Sequence, residues 1–421
     1  MAFRVAETRL GIVFREVKRG MAGANLATAS WTPAAADPSS AGRPGKGSML
    51  SMMTRAAVCR APGRPWEVTE LELDEPKANE VRIKFYAAGL CHSDDHIQKG
   101  DARMRFPVVG GHEGAGVVDA VGPGVTRVKL GDHLVCSFIP ACGSCRYCST
   151  GRQNLCDAGK NAATGEFADG TFRFHGGGED FGGLCVLGTF SQYTVVSEFS
   201  CIAIPEDIPF DVAALVSCGV PTGWGSAVHA AGVRPGQTVV IYGAGGVGSN
   251  AVQGAALAGA KNVIVVDPVA FKREMAAVFG ATHTFATAKE AHDFVVETTW
   301  GELADHAIIT VGVLHDEVIH NAIQAVGKAG QVTITAVGNG SIDENPGMLI
   351  GYQRRVQGAI YGACNPLVDV PRLLGLYRSG DLKLDELITR RYRLEEINQG
   401  YQDMLDGKNI RGVIIHEHEE G

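Results

Sequence analysis

Thr238-Val239-Val240-Ile241-Tyr242-Gly243-Ala244-Gly245-Gly246-Val247-Gly248 sets a β-branched run directly against a series of glycines. A strand feeding a glycine turn that opens a helix is the context in which G-x-G-x-x-G holds a dinucleotide. Gly243 allows the tight turn, Gly245 lets the backbone approach a pyrophosphate, and Gly248 permits close helix–strand packing. From Gly246 and Val247 onward the helix offers free N–H groups and a positive dipole end to phosphate. Asp267 stands 19 residues past Gly248, at the end of the next expected strand. A carboxylate there accepts hydrogen bonds from ribose hydroxyls and repels a 2′-phosphate, which favours NAD over NADP. Lys272, one turn into the following helix, reaches the same ribose.

The rhythm around this stretch is α/β. Residues 238–242, 262–266, 307–311 and 331–336 are short β-branched runs separated by helix-length segments, the pattern of a parallel sheet with crossover helices. Upstream, residues 53–59, 80–88, 117–125 and 132–138 read as strands punctuated by glycine turns, a β-rich part. Helices are expected at 370–379 and 394–406, after the chain leaves the α/β rhythm near residue 361. The expected division is therefore 53–219 as a β-rich catalytic domain, 220–361 as the dinucleotide domain, and 362–421 as a segment completing the first. No internal repeat is visible.

At 421 residues the chain calls for more than one core. A formal charge of -8 argues against nucleic acid as a main partner, and no apolar run approaches the roughly 18 residues of a membrane span. Eleven cysteines without a secretory signal point to metal ligands and buried thiols in a reducing, cytoplasmic setting. Residues 1–52 are rich in Ala, Ser, Pro and Gly, with seven Lys or Arg against three acids. They are expected to be a disordered leader or an over-extended start, since Met49, Met52 and Met53 adjoin the first clear strand.

Cys142, Cys145, Cys148 and Cys156 form a tight cluster. Four thiolates complete a tetrahedral ion and leave no open position, so the loop 142–156 reads as a structural zinc site. A ferredoxin-type cluster has a shorter last gap followed by proline, whereas here Asp157 follows Cys156.

Cys91-His92-Ser93-Asp94-Asp95-His96 carries the densest chemistry. Cys91, His112 and the distant Cys218 make a three-ligand zinc set with an open fourth position, the mark of a catalytic site. Zinc lowers the pKa of bound water to about 7, and an alcohol taken there responds similarly. The alkoxide then passes hydride to the nicotinamide. Ser93 is the first hydroxyl for the departing proton and His96 a base near bulk solvent. Asp94 orients a ligand imidazole from behind, and Glu113 supports or exchanges with the ligands. Cys59, Cys136, Cys185, Cys201 and Cys364 read as buried apolar thiols. His229, His283, His292, His315, His416 and His418 read as surface or capping residues.

From about residue 53 onward the chain resembles the zinc-dependent medium-chain alcohol dehydrogenases that keep the structural zinc loop, and most of all their bacterial nitrosodimethylaniline (NDMA)-dependent branch. The resemblance rests on Cys91-His92-Ser93-Asp94, on Gly111-His112-Glu113-Gly114-Ala115-Gly116 with Gly122, and on the four-cysteine loop. It continues through Cys218 with Pro221-Thr222-Gly223-Trp224-Gly225, the glycine fingerprint with Asp267, and Asn409-Ile410-Arg411. It implies a GroES-like β-rich catalytic domain around a Rossmann NAD-binding domain, two zinc ions per chain, and a homodimer or homotetramer. It further implies that Thr222 and Val247 lie near the nicotinamide, that His92 and Arg411 face the pyrophosphate, and that Phe138 walls the substrate pocket. His92 replaces an arginine found in some relatives, and a neutral imidazole grips phosphate less. In the NDMA branch NAD can stay bound through turnover while electrons leave to another acceptor.

The leading expectation is oxidation of a primary alcohol to an aldehyde, or the reverse. A second reading is oxidation of a glutathione or mycothiol adduct of formaldehyde, with Lys160 and Arg103 at the pocket rim. A remote third is a non-catalytic binding protein on the same fold, disfavoured because all three zinc ligands are present.

Overall fold

Along the strands Thr238–Tyr242 and Asn262–Val266, successive side chains divide between two cores. Val239, Ile241, Val263 and Val265 pack into one, while Val240, Tyr242, Ile264 and Val266 pack into the other. A strand covered on both faces needs no polar alternation, which is why these runs are continuously apolar. Each fully buried Val or Ile contributes about 1.5–3 kcal/mol. The computed structural model describes residues 51–418. The expected leader at 1–52 lies outside the described residues except for its last two, and Met52 already belongs to the first strand.

Six parallel strands form the α/β sheet, in the order His283–Phe285, Asn262–Val266, Thr238–Tyr242, Ala304–Ile309, Val326–Ile334, Arg355–Gly358. By position in the chain this is 3-2-1-4-5-6, the doubly wound order whose crevice at the strand ends binds dinucleotides. The glycine fingerprint sits at the first of these strands, beside the point where the order reverses.

The β-rich part holds a closed barrel of Met52–Cys59, Glu67–Leu73, Phe174–Gly176, Glu179–Gly183 and Val108–Val109. Beside it runs a sheet ordered Cys201–Ala203, His133–Cys136, Gly114–Val121, Glu80–Gly89, Arg411–Ile415, Ile388–Tyr392. The late strand Arg411–Ile415 pairs antiparallel with Glu80–Gly89, Ile414 opposite Ala88. Residues from the far end of the chain thus complete the first sheet.

Boundaries moved where tertiary contacts overrode local pattern. The strand expected at 117–125 is Gly114–Val121, because the chain turns at Gly122, whose N–H donates to the Glu80 carbonyl. The strand expected at 307–311 is Ala304–Ile309, ended by Thr310, whose hydroxyl donates to the Tyr242 and Gly243 carbonyls. The late helices lie at Pro366–Arg378 and Ile397–Leu405.

Candidate active site

Three segments deliver the metal-type donors. Cys91 caps the N-terminus of the helix His92–Lys99, which ends at Gly100 in the left-handed region. Cys218 caps the helix Gly219–Gly225, and His112 and Glu113 immediately precede the strand Gly114–Val121. One donor atom from each of Cys91, His112, Glu113 and Cys218 lies within 4.8 Å of the others, and all four residues are buried. A thiol at a helix N-terminus is biased toward thiolate. Cys91 is held well below the usual thiol range by a hydrogen bond from Cys218, against desolvation, with help from His112 and Arg411. Burial pushes the Glu113 carboxyl up to about 7 against the pull of Arg411. Two sulfurs, one imidazole and a carboxylate within coordination reach fit a zinc ion that keeps a position for an exchangeable ligand.

The imidazole is aimed from behind. Asp94 Oδ1 accepts from the Gly111 N–H at 3.0 Å and lies 3.3 Å from His112 Nδ1. With Nδ1 facing Asp94, Nε2 is the nitrogen left to coordinate. Phe138 meets His112 edge-on, ring centroids 5.7 Å apart, and packs on Tyr361 at 4.5 Å.

Through Cys91 the cluster borders a cleft of about 490 Å³ that the glycine turn also lines. Cys91, His92, Ser93 and His96 line it, as do Gly243, Gly245, Gly246 and Val247. Asp267, Lys272 and Arg411 line it as well. Gly243 has φ +95°, a conformation that favours glycine. A Cβ on Gly245 would meet nothing within 4 Å, so the backbone there presents open space to a ligand, as a pyrophosphate requires. A Cβ on Gly248 would run into the Gly243 carbonyl, so that glycine serves packing. Asp267 accepts from the Ala244 N–H at 2.8 Å and the Val269 N–H at 2.9 Å, so the turn and the carboxylate are locked together. Arg411 is buried, lies against Gly246 and Gly219, and is ion-paired to Glu113.

The four loop cysteines are also assembled. Cys142 and Cys148 sulfurs are 3.9 Å apart, as are those of Cys145 and Cys156. Tetrahedral zinc with Zn–S of about 2.3 Å separates its sulfurs by about 3.8 Å, so the set fits the ion. Backbone N–H groups of Cys145 and Cys148 point at the sulfurs of Cys142 and Cys145. Despite desolvation, such bonds bring Cys142 down to about 6.

Residues 77–206 match the family model described as alcohol dehydrogenase GroES-like domain, and residues 246–376 match that of zinc-binding dehydrogenase. The chain is 56% identical over 368 residues to the NDMA-dependent alcohol dehydrogenase of Amycolatopsis methanolica, covering 87% of this chain and 99% of that one. It is 47% identical to alcohol dehydrogenase B of Mycobacterium tuberculosis, covering 86% and 98%. The crystal structure of benzyl alcohol dehydrogenase from Acinetobacter calcoaceticus superposes with a TM-score of 0.81 at 28% identity, covering 87% of this chain and 100% of that one. The chain belongs to the zinc-dependent medium-chain alcohol dehydrogenases. It is an oxidoreductase whose cofactors are zinc and NAD, built from a GroES-like and a Rossmann domain.

Several positions of the dehydrogenase differ from the sequence reading. His96 does not sit near bulk solvent: it is 3% exposed, with Nδ1 3.2 Å from Asp101 and Nε2 2.9 Å from the Gly312 carbonyl. Asp101, half exposed, is the group that reaches water. Ser93 lies 3.7 Å from the Cys91 sulfur. Thr222 and Phe138 do not line the cleft; Thr222 stands 4.0 Å behind the Cys218 sulfur. The His92 ring lies against Gly312 and burial lowers its pKa. His416 is not a surface residue but buried, paired with the Thr189 carbonyl at 3.0 Å. His229 and Cys364 approach Asp369, but Asp369 is already paired to His229 and Arg372 and Cys364 donates to Pro221 O, a structural tie. Tyr361, whose hydroxyl donates to the Ser217 carbonyl at 2.6 Å, carried no sequence signal; only the fold brings it beside Phe138. No helix among the described residues is long and apolar enough to cross a membrane.

Proposed function

We propose that this dehydrogenase converts a primary alcohol to its aldehyde, reversibly, with Cys91, His112 and Cys218 as ligands of the catalytic zinc and Glu113 as an exchanging one. Cys142, Cys145, Cys148 and Cys156 hold the structural zinc. The observation that carries this reading is that Cys91 of the four-donor cluster lines the same cleft as Gly245. Bound zinc supplies a Lewis acid that makes an alcohol hydroxyl acidic near neutral pH. Ser93 takes that proton first, and His96, held between the Gly312 carbonyl and Asp101, flanks its way out toward the half-exposed Asp101. Asp94 holds the His112 ring in its coordinating pose. Gly243, Gly245, Gly246, Val247 and Gly248 seat the pyrophosphate, assisted by His92 and Arg411, while Asp267 and Lys272 take the adenosine ribose. Thr222 beside the Cys218 sulfur and Phe138 against the His112 ring support the metal donors rather than line the cleft.

The name of the Amycolatopsis relative further supports NAD that stays bound through turnover, its electrons leaving to another acceptor. The thiol-adduct reading has less support, because Lys160 and Arg103 are exposed and neither lines the cleft. Pairing into a homodimer or homotetramer through the outer strand Arg355–Gly358 is supported by exposed Ile350, Tyr352 and Ile360 around that edge. A cytoplasmic setting is supported by eleven cysteines, none of them in a disulfide.

The deciding experiment purifies the protein, counts zinc and co-purifying NAD, and assays an alcohol panel with free NAD and, separately, with an artificial acceptor. Two zinc ions and alcohol-dependent reduction in one format are expected. Two zinc ions with no reduction in either format would sink the proposal.

A further inference from the structure

Two buried polar atoms near the cluster lack hydrogen-bond partners, and they belong together. Asp94 is completely buried; its Oδ1 is occupied by Gly111 and His112, while its Oδ2, also 3.3 Å from His112 Nδ1, accepts no hydrogen bond. The hydroxyl of Tyr401, a residue 3% exposed on the helix Ile397–Leu405, has none either. That helix packs Gly400 against Leu90, one residue before Cys91, and Asp94 and Cys91 are among the charged groups that act on the phenol. The Tyr401 ring is clamped, stacked on Trp66 at 6.1 Å and edge-on to Phe190 at 6.4 Å, so its hydroxyl has little freedom to turn elsewhere. Resting on the zinc-ligand reading of His112, we infer that Tyr401 is a positioning residue of the metal site, its hydroxyl donating to Asp94 Oδ2 and so fixing the carboxylate that orients the His112 ring.

The physical case is one of satisfaction. A buried carboxylate oxygen without a donor is costly, and a buried hydroxyl without an acceptor is too; one hydrogen bond between them relieves both. Burial, and then the Asp94 charge, push the phenol well above its usual range, so it stays a neutral donor. A phenylalanine would fill the same space between Trp66 and Phe190, so packing alone does not call for the hydroxyl. With Tyr401, Gly111 and His112 all bonded to it, the Asp94 carboxylate cannot rotate without breaking a bond, and partners of this kind tune metal affinity strongly.

The test uses the holoenzyme and Tyr401→Phe, which keeps the ring. Zinc transfer to a chelator, followed for each of the two ions, should be about 10-fold faster for the catalytic ion and unchanged for the structural one. With cobalt in the catalytic position, the visible bands should shift. In an Asp94→Asn background, Tyr401→Phe should add no further effect on either readout. A Tyr401→Phe enzyme that releases zinc at the parental rate with an unshifted cobalt spectrum overturns the inference. So does an equal effect with and without Asp94, which would mean that Tyr401 acts by another route. A parental enzyme holding only the four-cysteine zinc would instead overturn the site reading, and this inference with it.

Discussion

The guanidinium of Arg411 is ion-paired with the carboxylate of Glu113, two buried side chains that join the glycine turn to the metal-donor cluster. The pair arises because the strand Arg411–Ile415 lies against Glu80–Gly89, which also pairs with Gly114–Val121, the strand that follows directly on Glu113. Replacing Arg411 by Met strands Glu113 in a dry site, at a cost of about 3–5 kcal/mol. Thermal unfolding should show the loss, and co-purifying NAD should fall. Adding Glu113→Gln should recover part of the stability but not the NAD. Full recovery of both would mean that Arg411 serves only Glu113.

Asp267 holds the glycine turn through Ala244 and its own helix through Val269. Charged hydrogen bonds are worth about 1.5–3 kcal/mol, so Asp267→Ser should weaken NAD binding by about 10- to 100-fold. Removing the charge also removes the repulsion of a 2′-phosphate, so discrimination against NADP should shrink. Calorimetric titration with both dinucleotides measures the two effects.

Cys145→Ser breaks the four-sulfur set without touching Cys91, His112 or Cys218. Metal analysis should fall from two zinc ions to one. A stability loss of about 2–3 kcal/mol should lower Tm by about 5 °C. If both ions remain, the loop is not the second zinc site.

Burial pushes His416 down to about 4, from an ordinary histidine value of about 6.5. Below about pH 6.5 the unfolded chain takes up a proton that the folded chain refuses, so this contribution is complete above that pH and is lost as pH falls toward 4. Its full size is about 3 kcal/mol. Denaturant titrations at pH 7.5 and 5 should show the parental protein losing more stability on acidification than His416→Gln.

The strands Thr238–Tyr242 and Asn262–Val266 have the bounds their composition suggests, because a strand buried on both faces is apolar at every position. Strand ends set by distant partners were not legible: the Gly122 turn is tied to Glu80, and Thr310 stops its strand by bonding to Tyr242. His96 and His416 read as exposed because histidine is amphipathic, and only packing decides which side of the boundary it takes. Tyr361 and Tyr401 lie outside every motif, and nothing local marks an aromatic ring as the neighbour of a metal cluster whose nearest donor, Cys218, is 143 or more residues away in the chain.

By itself the sequence determined the chemistries: a glycine turn with an acid for the dinucleotide, four close cysteines for one metal, and scattered thiols with a histidine for another. These are local or nearly local, because a turn conformation or a ligand type is a property of the residues that form it. Only the tertiary structure decided which groups meet. It set Arg411 against Glu113 and packed the helix that carries Tyr401 against Leu90, since contacts between residues about 300 positions apart are fixed by sheet order and helix packing rather than by spacing along the chain.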